Sequence, residues 1–388
     1  MPPSVARIFT GLVVVYLVLY VVAHYQPNLN TLDHAAELPT PPLFPTSHFP
    51  PFKTPFRILQ VAAEQKNVPT LALLVQTVRR NRYQLWSTLP YAVSPPPVKV
   101  YETDRPFGWA VNDDGNVLVV ADVHRVGLWR KSDLSRATMG SWKMKQHWTM
   151  DYGRDDDRPP QVSITRHGSA VVLTTARDLL ALFRWDEDTY CLQPLTVDTF
   201  KVDFQLYPRS ILAEHNLLVT AVPDFRQTDG VVDVYHFPHH NLDLFNVDLL
   251  QTIVPPVRGS YFGGQVVTAQ LNDTPLIFVA APFANQGTGC LYIYSRTSTD
   301  SMFQVGQTIQ GTAPVEQLGR VLALSENAHF LAVSTQTSIG LWEFQPSTRA
   351  YQHSKVFPGT PHNIQSLHVD NAGNVIYVTP TQVRIPAH

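Results

Sequence analysis

Three imidazoles fall within five residues at His236-Phe237-Pro238-His239-His240. Imidazole nitrogen binds zinc and copper, so the cluster has the donor type for a metal site. Pro238 puts it in a turn, and no cysteine or carboxylate stands at adjacent ligand spacing, which favours a solvated turn. Arg154-Asp155-Asp156-Asp157-Arg158 has the charge to hold a cation or a basic partner, but the plainer reading is a solvated connection between blades ahead of a Pro-Pro pair. Asp113-Asp114-Gly115-Asn116 and Asp370-Asn371-Ala372-Gly373-Asn374 combine carboxylates with glycine. A calcium loop needs about six to eight oxygens, in regular alternation. Neither stretch supplies them, and the positive φ of tight hairpins explains these residue types. Asn272-Asp273-Thr274 is an N-glycosylation acceptor if its face is lumenal. Asn272 is therefore the one site residue assigned. No catalytic, cofactor-binding or metal-binding residue is assigned, and no cofactor is expected.

The elements that carry these residues are short strands. In Tyr261 to Arg296, apolar runs at Gln265 to Ala269, Leu276 to Ala281 and Cys290 to Tyr294 are separated by Asn272-Asp273-Thr274-Pro275 and Asn285-Gln286-Gly287. Runs of this length, rich in Val, Ile and aromatics and bounded by Gly, Pro, Asn and Asp, form hairpins. The unit recurs, with first strands near residues 108, 161, 210, 264, 318 and 363. A spacing of about 45 to 55 residues, with four antiparallel strands per repeat, is the period of a β-propeller blade. The third strands align as VGLWR, LALFRW, VDVYHF, LYIYSR and IGLWEF. Their aromatics are expected to pack between blades, because a strand buried on both surfaces carries apolar residues on both.

Residues 57–102 hold further apolar runs at Ile58 to Ala62, Leu71 to Val75, Tyr83 to Trp86 and Val98 to Tyr101. Read as strands they make a degenerate first blade, for a total of seven. If Leu71 to Trp86 is helical the total is six. The last repeat stops after three strands. Closure of a propeller removes exposed sheet edges, so the missing strand is expected from the N-terminal side, within Phe49 to Ala62 or Val98 to Tyr101.

The N-terminus departs from this pattern. Arg7 and His24 bracket 16 uncharged residues, IFTGLVVVYLVLYVVA. As a helix they would extend ~24 Å at ~1.5 Å per residue, between a signal-peptide core and a full span. Residues 8–25 are expected to form a transmembrane signal anchor in the lipid bilayer, with cleavage after Val21-Val22-Ala23 as the alternative. Arg7 precedes the segment, while Asp33 and Glu37 are the first charges after it. The positive-inside rule then leaves residues 1–7 cytosolic and the rest lumenal or extracellular. LPTPPLFPTSHFPPFKTPF, near the end of residues 26–56, is too dense in proline for helix or sheet and reads as an extended stalk. Residues 57–388 form the propeller.

Composition excludes little. Only 15% of residues are charged and the net charge is -2, which gives no case for nucleic acid as a partner. Of the two cysteines, Cys191 and Cys290, each falls in a predicted strand. One disulfide is arithmetically possible, and two buried free thiols is the plainer reading.

The unit Tyr261 to Arg296 resembles an FG-GAP repeat, the blade type of integrin α-subunit propellers. Phe262-Gly263 matches the FG element and Ala280-Ala281-Pro282 stands where GAP falls. Leu318-Gly319 and Phe107-Gly108 repeat the first element, and Leu128-Trp129 and Leu341-Trp342 resemble the third strand of WD40 blades. The resemblance implies a propeller with a protein-binding tendency. It carries over no calcium site, because Leu271-Asn272-Asp273-Thr274-Pro275 replaces the Asp-rich loop of the calcium-binding blades.

No nucleophile elbow, zinc-protease helix motif, P-loop or dinucleotide fingerprint appears in the chain. The expectation is an all-β, membrane-anchored, non-enzymatic propeller that binds a protein or glycan in the secretory pathway or at the cell surface. It would be secreted if the N-terminal segment is cleaved. The alternatives are a secretory-pathway enzyme with a dispersed site at the channel, and a cytosol-facing WD40-like scaffold.

Overall fold

The structure is a computed structural model. It describes the strands between residues 56 and 236 with a few flanking residues, residues 249–379 except 299–300 and 360–362, and residues 383–384. The predicted span at 8–25 and the stalk through residue 55 lie outside the described residues.

The described chain is a succession of antiparallel sheets, within each of which successive strands pair, with one exception in the third. The first sheet contains Phe56–Ala63, Pro69–Arg79, Arg82–Thr88 and Val98–Thr103 (β1–β4). The second contains Phe107–Val111, Val117–Asp122, Arg125–Lys131 and Trp142–Thr149 (β5–β8). The third contains Gln161–Ile164, Ala170–Thr174, Leu179–Asp186, Cys191–Pro194 and Phe200–Lys201 (β9–β13), with β12 and β13 both pairing along β11. The fourth contains Ser210–Glu214, Leu217–Val222, Val231–His236 and Leu249–Ile253 (β14–β17). The fifth contains Val266–Leu271, Thr274–Ala281, Cys290–Ser295 and Gln304–Gln310 (β18–β21). The sixth contains Leu322–Leu324, Phe330–Ser334, Ser338–Gln345 and Ala350–Pro358 (β22–β25). The last has three strands, Ser366–Val369, Val375–Val378 and Val383–Arg384 (β26–β28).

One alternative is excluded, and one expectation is not met among the described residues. Leu71 to Trp86 is not helical: β2 pairs with β1 on one side and β3 on the other. Leu71-Ala72-Leu73-Leu74 has good helix formers, and pairing on both edges overrides that local preference. Nor is the last sheet completed from the N-terminal side among the described residues, because β1 and β4 both belong to the first sheet. Closure comes from packing instead. First strands neighbour first strands along the series β5, β9, β14, β18, β22 and β26, and β26 lies against β1.

Strand alternation explains how one strand serves two cores. In β19, Ile277, Val279 and Ala281 pack with Val219, Val232 and Val234 of the fourth sheet. Leu276, Phe278 and Ala280, pointing the other way, pack with Leu331, Val333 and Trp342 of the sixth. A period of two sends alternate side chains to opposite faces, and burying each Val, Leu, Ile or Phe among them contributes roughly 1.5–3 kcal/mol. The aromatics of the third strands, Trp129, Tyr235, Tyr294 and Trp342, are buried as expected. Each stands beside a register shift in the pairing to the outer strand, at Leu128/Trp129, Val234/Tyr235, Ile293/Tyr294 and Leu341/Trp342. The extra outer-strand residue is a β-bulge, which increases local twist. In β7 and β24 a glycine two residues earlier, Gly127 or Gly340, leaves the space that the indole of Trp129 or Trp342 fills.

Two further devices couple successive sheets. The Gln251 side chain accepts from Phe303 N–H (2.7 Å) and donates to Phe303 O (3.1 Å). The Gln307 side chain treats Tyr351 in the same way, at 2.8 and 2.7 Å. Each amide thus acts as one rung of backbone pairing between neighbouring outer strands. The other device is glycine: Gly230 and Gly289 immediately precede third strands, and both have φ above 80° or at it (80° and 84°). Each touches the backbone of the next sheet, at Phe262 and at Leu318, where a Cβ would not fit.

Candidate functional site

Four alternating strands return the chain to the side from which it started. The starts of first and third strands, and the ends of second and outer strands, therefore share one face. In the third sheet β13 extends the position of β12, so the count stays even. Loops on this face are continuous from the fourth sheet to the sixth. Gly259 N–H donates to Asp229 Oδ1 (2.7 Å), and Phe283 N–H to Ser260 O (3.1 Å). Gln317 N–H donates to Gly287 O, Leu318 N–H to Thr288 O, and Gln336 N–H to Glu316 O, at 2.9, 3.0 and 2.9 Å. Glu316 in turn accepts from Thr312 N–H (2.7 Å) and Ala313 N–H (3.0 Å), which fixes the 311–317 loop.

This bonded surface presents apolar side chains outward. Val254 is 67% exposed, Val315 58% and Phe283 39%. Tyr261 lies against Phe283 with ring centroids 5.6 Å apart at 57°. Tyr261 and Val315 have φ of 58° and 63°, a region that costs a non-glycine residue of order 1–3 kcal/mol, most for a β-branched one. Ser260 Oγ is buried without a hydrogen-bond partner among the described residues. Arg320, at the start of the sixth sheet, has no ion pair among the described residues, and burial lowers its pKa from the ordinary arginine value.

The FG and GAP elements of the sequence meet here. Gly263 N–H donates to Ala280 O (2.9 Å), and Gly263 packs on Ala221 and Val232 of the preceding sheet. Leu318-Gly319 repeats this, with Gly319 N–H on Ser334 O (3.1 Å) and its Cα beside Ala280. Phe262 is fully buried, so the FG element is structural and only its neighbour Tyr261 reaches the surface.

The candidate residues from the sequence do not converge on this face. Asn272 is exposed at the turn between β18 and β19, on the opposite face, where Asn272 and Asp273 both have positive φ and Leu271 pairs with Thr274. This is a two-residue hairpin turn with the dihedral signs of type I′. His236 ends β16 exposed, while His239 and His240 lie outside the described residues, as do 112–116 and 154–158. The Asp370 carboxylate accepts from Ala372 N–H (2.9 Å) and Asn374 N–H (2.7 Å), the bonding of a turn. Cys290 is a buried free thiol 3.3 Å from Asn285 Nδ2, and burial raises its pKa. The Cys191 side chain lies outside the described residues. Among the described residues no group of three His, Cys, Asp or Glu is placed to hold a metal ion, and no helix is long and apolar enough to cross a membrane.

In the second sheet Asp122 is buried and ties the first sheet to it. It accepts from Tyr101 Oη (2.6 Å), Thr103 Oγ1 (3.2 Å) and Arg125 N–H (2.9 Å), with the Arg125 guanidinium at 3.3 Å. Burial first, and then this carboxylate, push the Tyr101 pKa up. The arrangement is a fully used structural carboxylate. The sequence carried a weak signal for it, an aspartate at the turn into a Gly-x-Trp strand.

No protein-family model matches the chain, and no curated protein does. Solved structures do. The chain is similar to the β-propeller domain of Cps50 (Swd1) from Myceliophteria thermophila, with 12% identity and a TM-score of 0.50 over 85% of this chain and 95% of that one. It is similar to Sqt1 from Saccharomyces cerevisiae, with 12% identity and a TM-score of 0.52 over 84% and 81%. With the strand topology above, these likenesses define the fold class: the chain is a β-propeller, with WD40-type propellers as its neighbours.

Proposed function

We propose that this chain is a membrane-anchored, non-enzymatic propeller of seven blades that binds a protein partner through the loop face around Tyr261, Phe283 and Val315. One observation carries the reading. Exposed apolar side chains sit on loops that backbone hydrogen bonds hold in place, two of them at unfavourable φ. Rigid aromatic anchors lose little entropy on binding and dominate interface energetics. The seven-blade count follows from counting each sheet, including the last with three strands, as one blade. The FG-GAP character rests on Phe262-Gly263 and Ala280-Ala281-Pro282.

The anchor is residues 8–25 and the spacer is residues 26–56, with the N-terminus cytosolic and the propeller lumenal or extracellular. A glycan on Asn272 would lie on the face opposite the patch and leave binding unhindered. A glycan ligand in place of a protein is the less favoured occupant, because the patch offers few polar groups. A second reading, a cytosol-facing WD40-like scaffold, draws on the Gly-x-Trp third strands at Gly127 and Gly340.

Two measurements test this. In intact microsomes a C-terminal tag should resist protease, and a glycosidase-sensitive mobility shift should vanish in Asn272→Gln. A digested tag would reverse the topology in favour of the second reading. Partners captured by the full chain should be lost from Tyr261→Ala and Phe283→Ala, by roughly 30-fold in affinity for a hot-spot residue worth about 2 kcal/mol. Capture that survives both substitutions would remove the loop face as the binding surface.

A further inference from the structure

β22 is a first strand, and Arg320 stands two residues before it, at the loop-face end of the series in which first strands neighbour one another. The main-chain N–H of Arg320 donates to Ser334 O (3.3 Å), while its guanidinium has no hydrogen bond or ion pair among the described residues. The residue is half-buried, and burial lowers its pKa. A guanidinium carries five N–H donors in a fixed fork. Taking such a charge partly out of water without a partner costs stability.

The carboxylates within the same loops are turned to the main chain instead. Glu316 Oε2 accepts from Thr312 N–H (2.7 Å) and Ala313 N–H (3.0 Å), and Asp229 Oδ1 accepts from Gly259 N–H (2.7 Å). Arg258, on the loop that carries Tyr261, is exposed and has no ion pair among the described residues. The described charges on this face, from the fourth sheet to the sixth, are thus two carboxylates bonded to backbone and two guanidiniums with unused donors. The apolar patch is close to the half-buried one. A Cβ on Gly319, the neighbour of Arg320, would lie 2.9 Å from Ala280 Cβ and 3.6 Å from its Cα. Phe283 follows Ala280 after three residues, which extend at most about 11 Å. One extended segment of about six residues can therefore touch both Arg320 and Phe283.

We propose that the protein partner of the loop face presents an acidic segment, with a carboxylate on Arg320 and an apolar side chain a few residues away against Phe283 and Tyr261. This deepens the binding reading above and rests on it for the face. Arg320 supplies the fork for two parallel bonds to a carboxylate, and one half-buried guanidinium matches one negative charge better than the two of a phosphate. Arg258, in water, adds attraction at longer range, where charge acts on the rate of encounter more than on affinity.

The test is fluorescence anisotropy with the full chain in detergent and a labelled Glu-Glu-Gly-Ser-Phe-Ser-Gly-Glu-Glu peptide. Binding should saturate, weaken as salt is raised, and fall about tenfold when Gln replaces every Glu of the peptide. Arg320→Gln should cost the acidic peptide the same factor and leave the Gln peptide unmoved. Arg320→Glu should reverse the preference toward a peptide with Lys in place of Glu. Thermal unfolding of Arg320→Gln should be unchanged or higher, because an unpaired, partly desolvated charge has been removed. A lower unfolding temperature would give the guanidinium a place in the fold and overturn the proposal. So would equal binding of the Glu and Gln peptides, or binding confined to a phosphoserine version or to phosphatidylserine vesicles. Phe283→Ala separates the two readings: it should weaken the Glu and Gln peptides alike. If it does so while Arg320→Gln changes nothing, the loop face stands and the acidic partner falls.

Discussion

Gly289→Ala tests the way neighbouring blades interlock. Gly289 has a φ of 84°, and a Cβ there would fall on the Leu318 amide nitrogen and lie 2.5 Å from Leu318 O and 2.9 Å from Gln317 C. These are backbone atoms, held by Gln317 N–H on Gly287 O (2.9 Å), Leu318 N–H on Thr288 O (3.0 Å) and Gly311 N–H on Gly289 O (2.9 Å). They cannot yield without breaking those bonds. A left-handed backbone carrying a Cβ costs about 1–2 kcal/mol. Losing two of the three bonds adds about 2 kcal/mol at about 1 kcal/mol each. The smaller unfolded-state entropy of alanine returns about 0.4–1 kcal/mol, leaving a loss of about 3 kcal/mol. With an unfolding entropy of about 2.1 cal/mol/K per residue, a domain of about 330 residues has about 0.7 kcal/mol/K, so Tm should fall by about 4 °C. Gly359 provides the control. Its φ is 71°, and nothing lies within 4 Å of its Cβ position. Gly359→Ala should therefore show only the backbone contribution, net about 1 kcal/mol or less and under about 2 °C. The assay is thermal unfolding by tryptophan fluorescence. Equal shifts in the two variants would refute the interlock, because the steric contribution would then be absent.

Gln307→Leu should destabilise by about 2–4 kcal/mol, because it leaves Tyr351 N–H and O unpaired in a partly buried place; a denaturant midpoint unchanged from wild type would show that the outer strands are not coupled there. Burial pushes the Tyr294 pKa up to about 12, and raises those of Tyr101, Tyr235, Tyr292 and Tyr351 as well. A phenol with a raised folded pKa contributes stability that is complete below the unfolded value of about 10 and is lost as pH rises through the folded value. Stability should thus fall from about pH 10 upward, with these tyrosines silent in absorbance at the phenolate band until the chain unfolds; smooth titration in the folded protein at about pH 10 would contradict it. With Cys191→Ser removing the other thiol, Cys290 should react with a disulfide reagent roughly a hundredfold more slowly in the folded chain than in denaturant, since it is buried and its pKa is raised. Equal rates would place it at the surface.

The strands and their turns are local facts, and the amino-acid order alone was enough for them. Asn272-Asp273 marks a hairpin because those two residues tolerate positive φ, and the structure holds both there. The alternation in Leu276 to Ala281 marks a strand buried on both surfaces, and its side chains divide between two cores. The repeat of four such strands is likewise visible in spacing, and from it the propeller. Leu71 to Trp86 was ambiguous because leucine and alanine suit either state, and only pairing with two neighbours decided it.

What joins one blade to the next had no such signature. Gln251 and Gln307 bond to residues 52 and 44 positions away, across loops whose lengths vary and so blur any fixed spacing. Gly230 and Gly289 read as ordinary turn glycines until the backbone of the following sheet is seen pressed against them. Tyr261 and Phe283 belong to different loops of one repeat, and Val315 to the loop that follows it; nothing in their order marks them as neighbours. They share one face because four alternating strands bring every such loop back to one side, where hydrogen bonds join neighbouring loops. Local pattern sets the elements because it acts through dihedral preference and burial of a strand face. The candidate site is a product of tertiary structure because it depends on where distant backbone segments bond to one another.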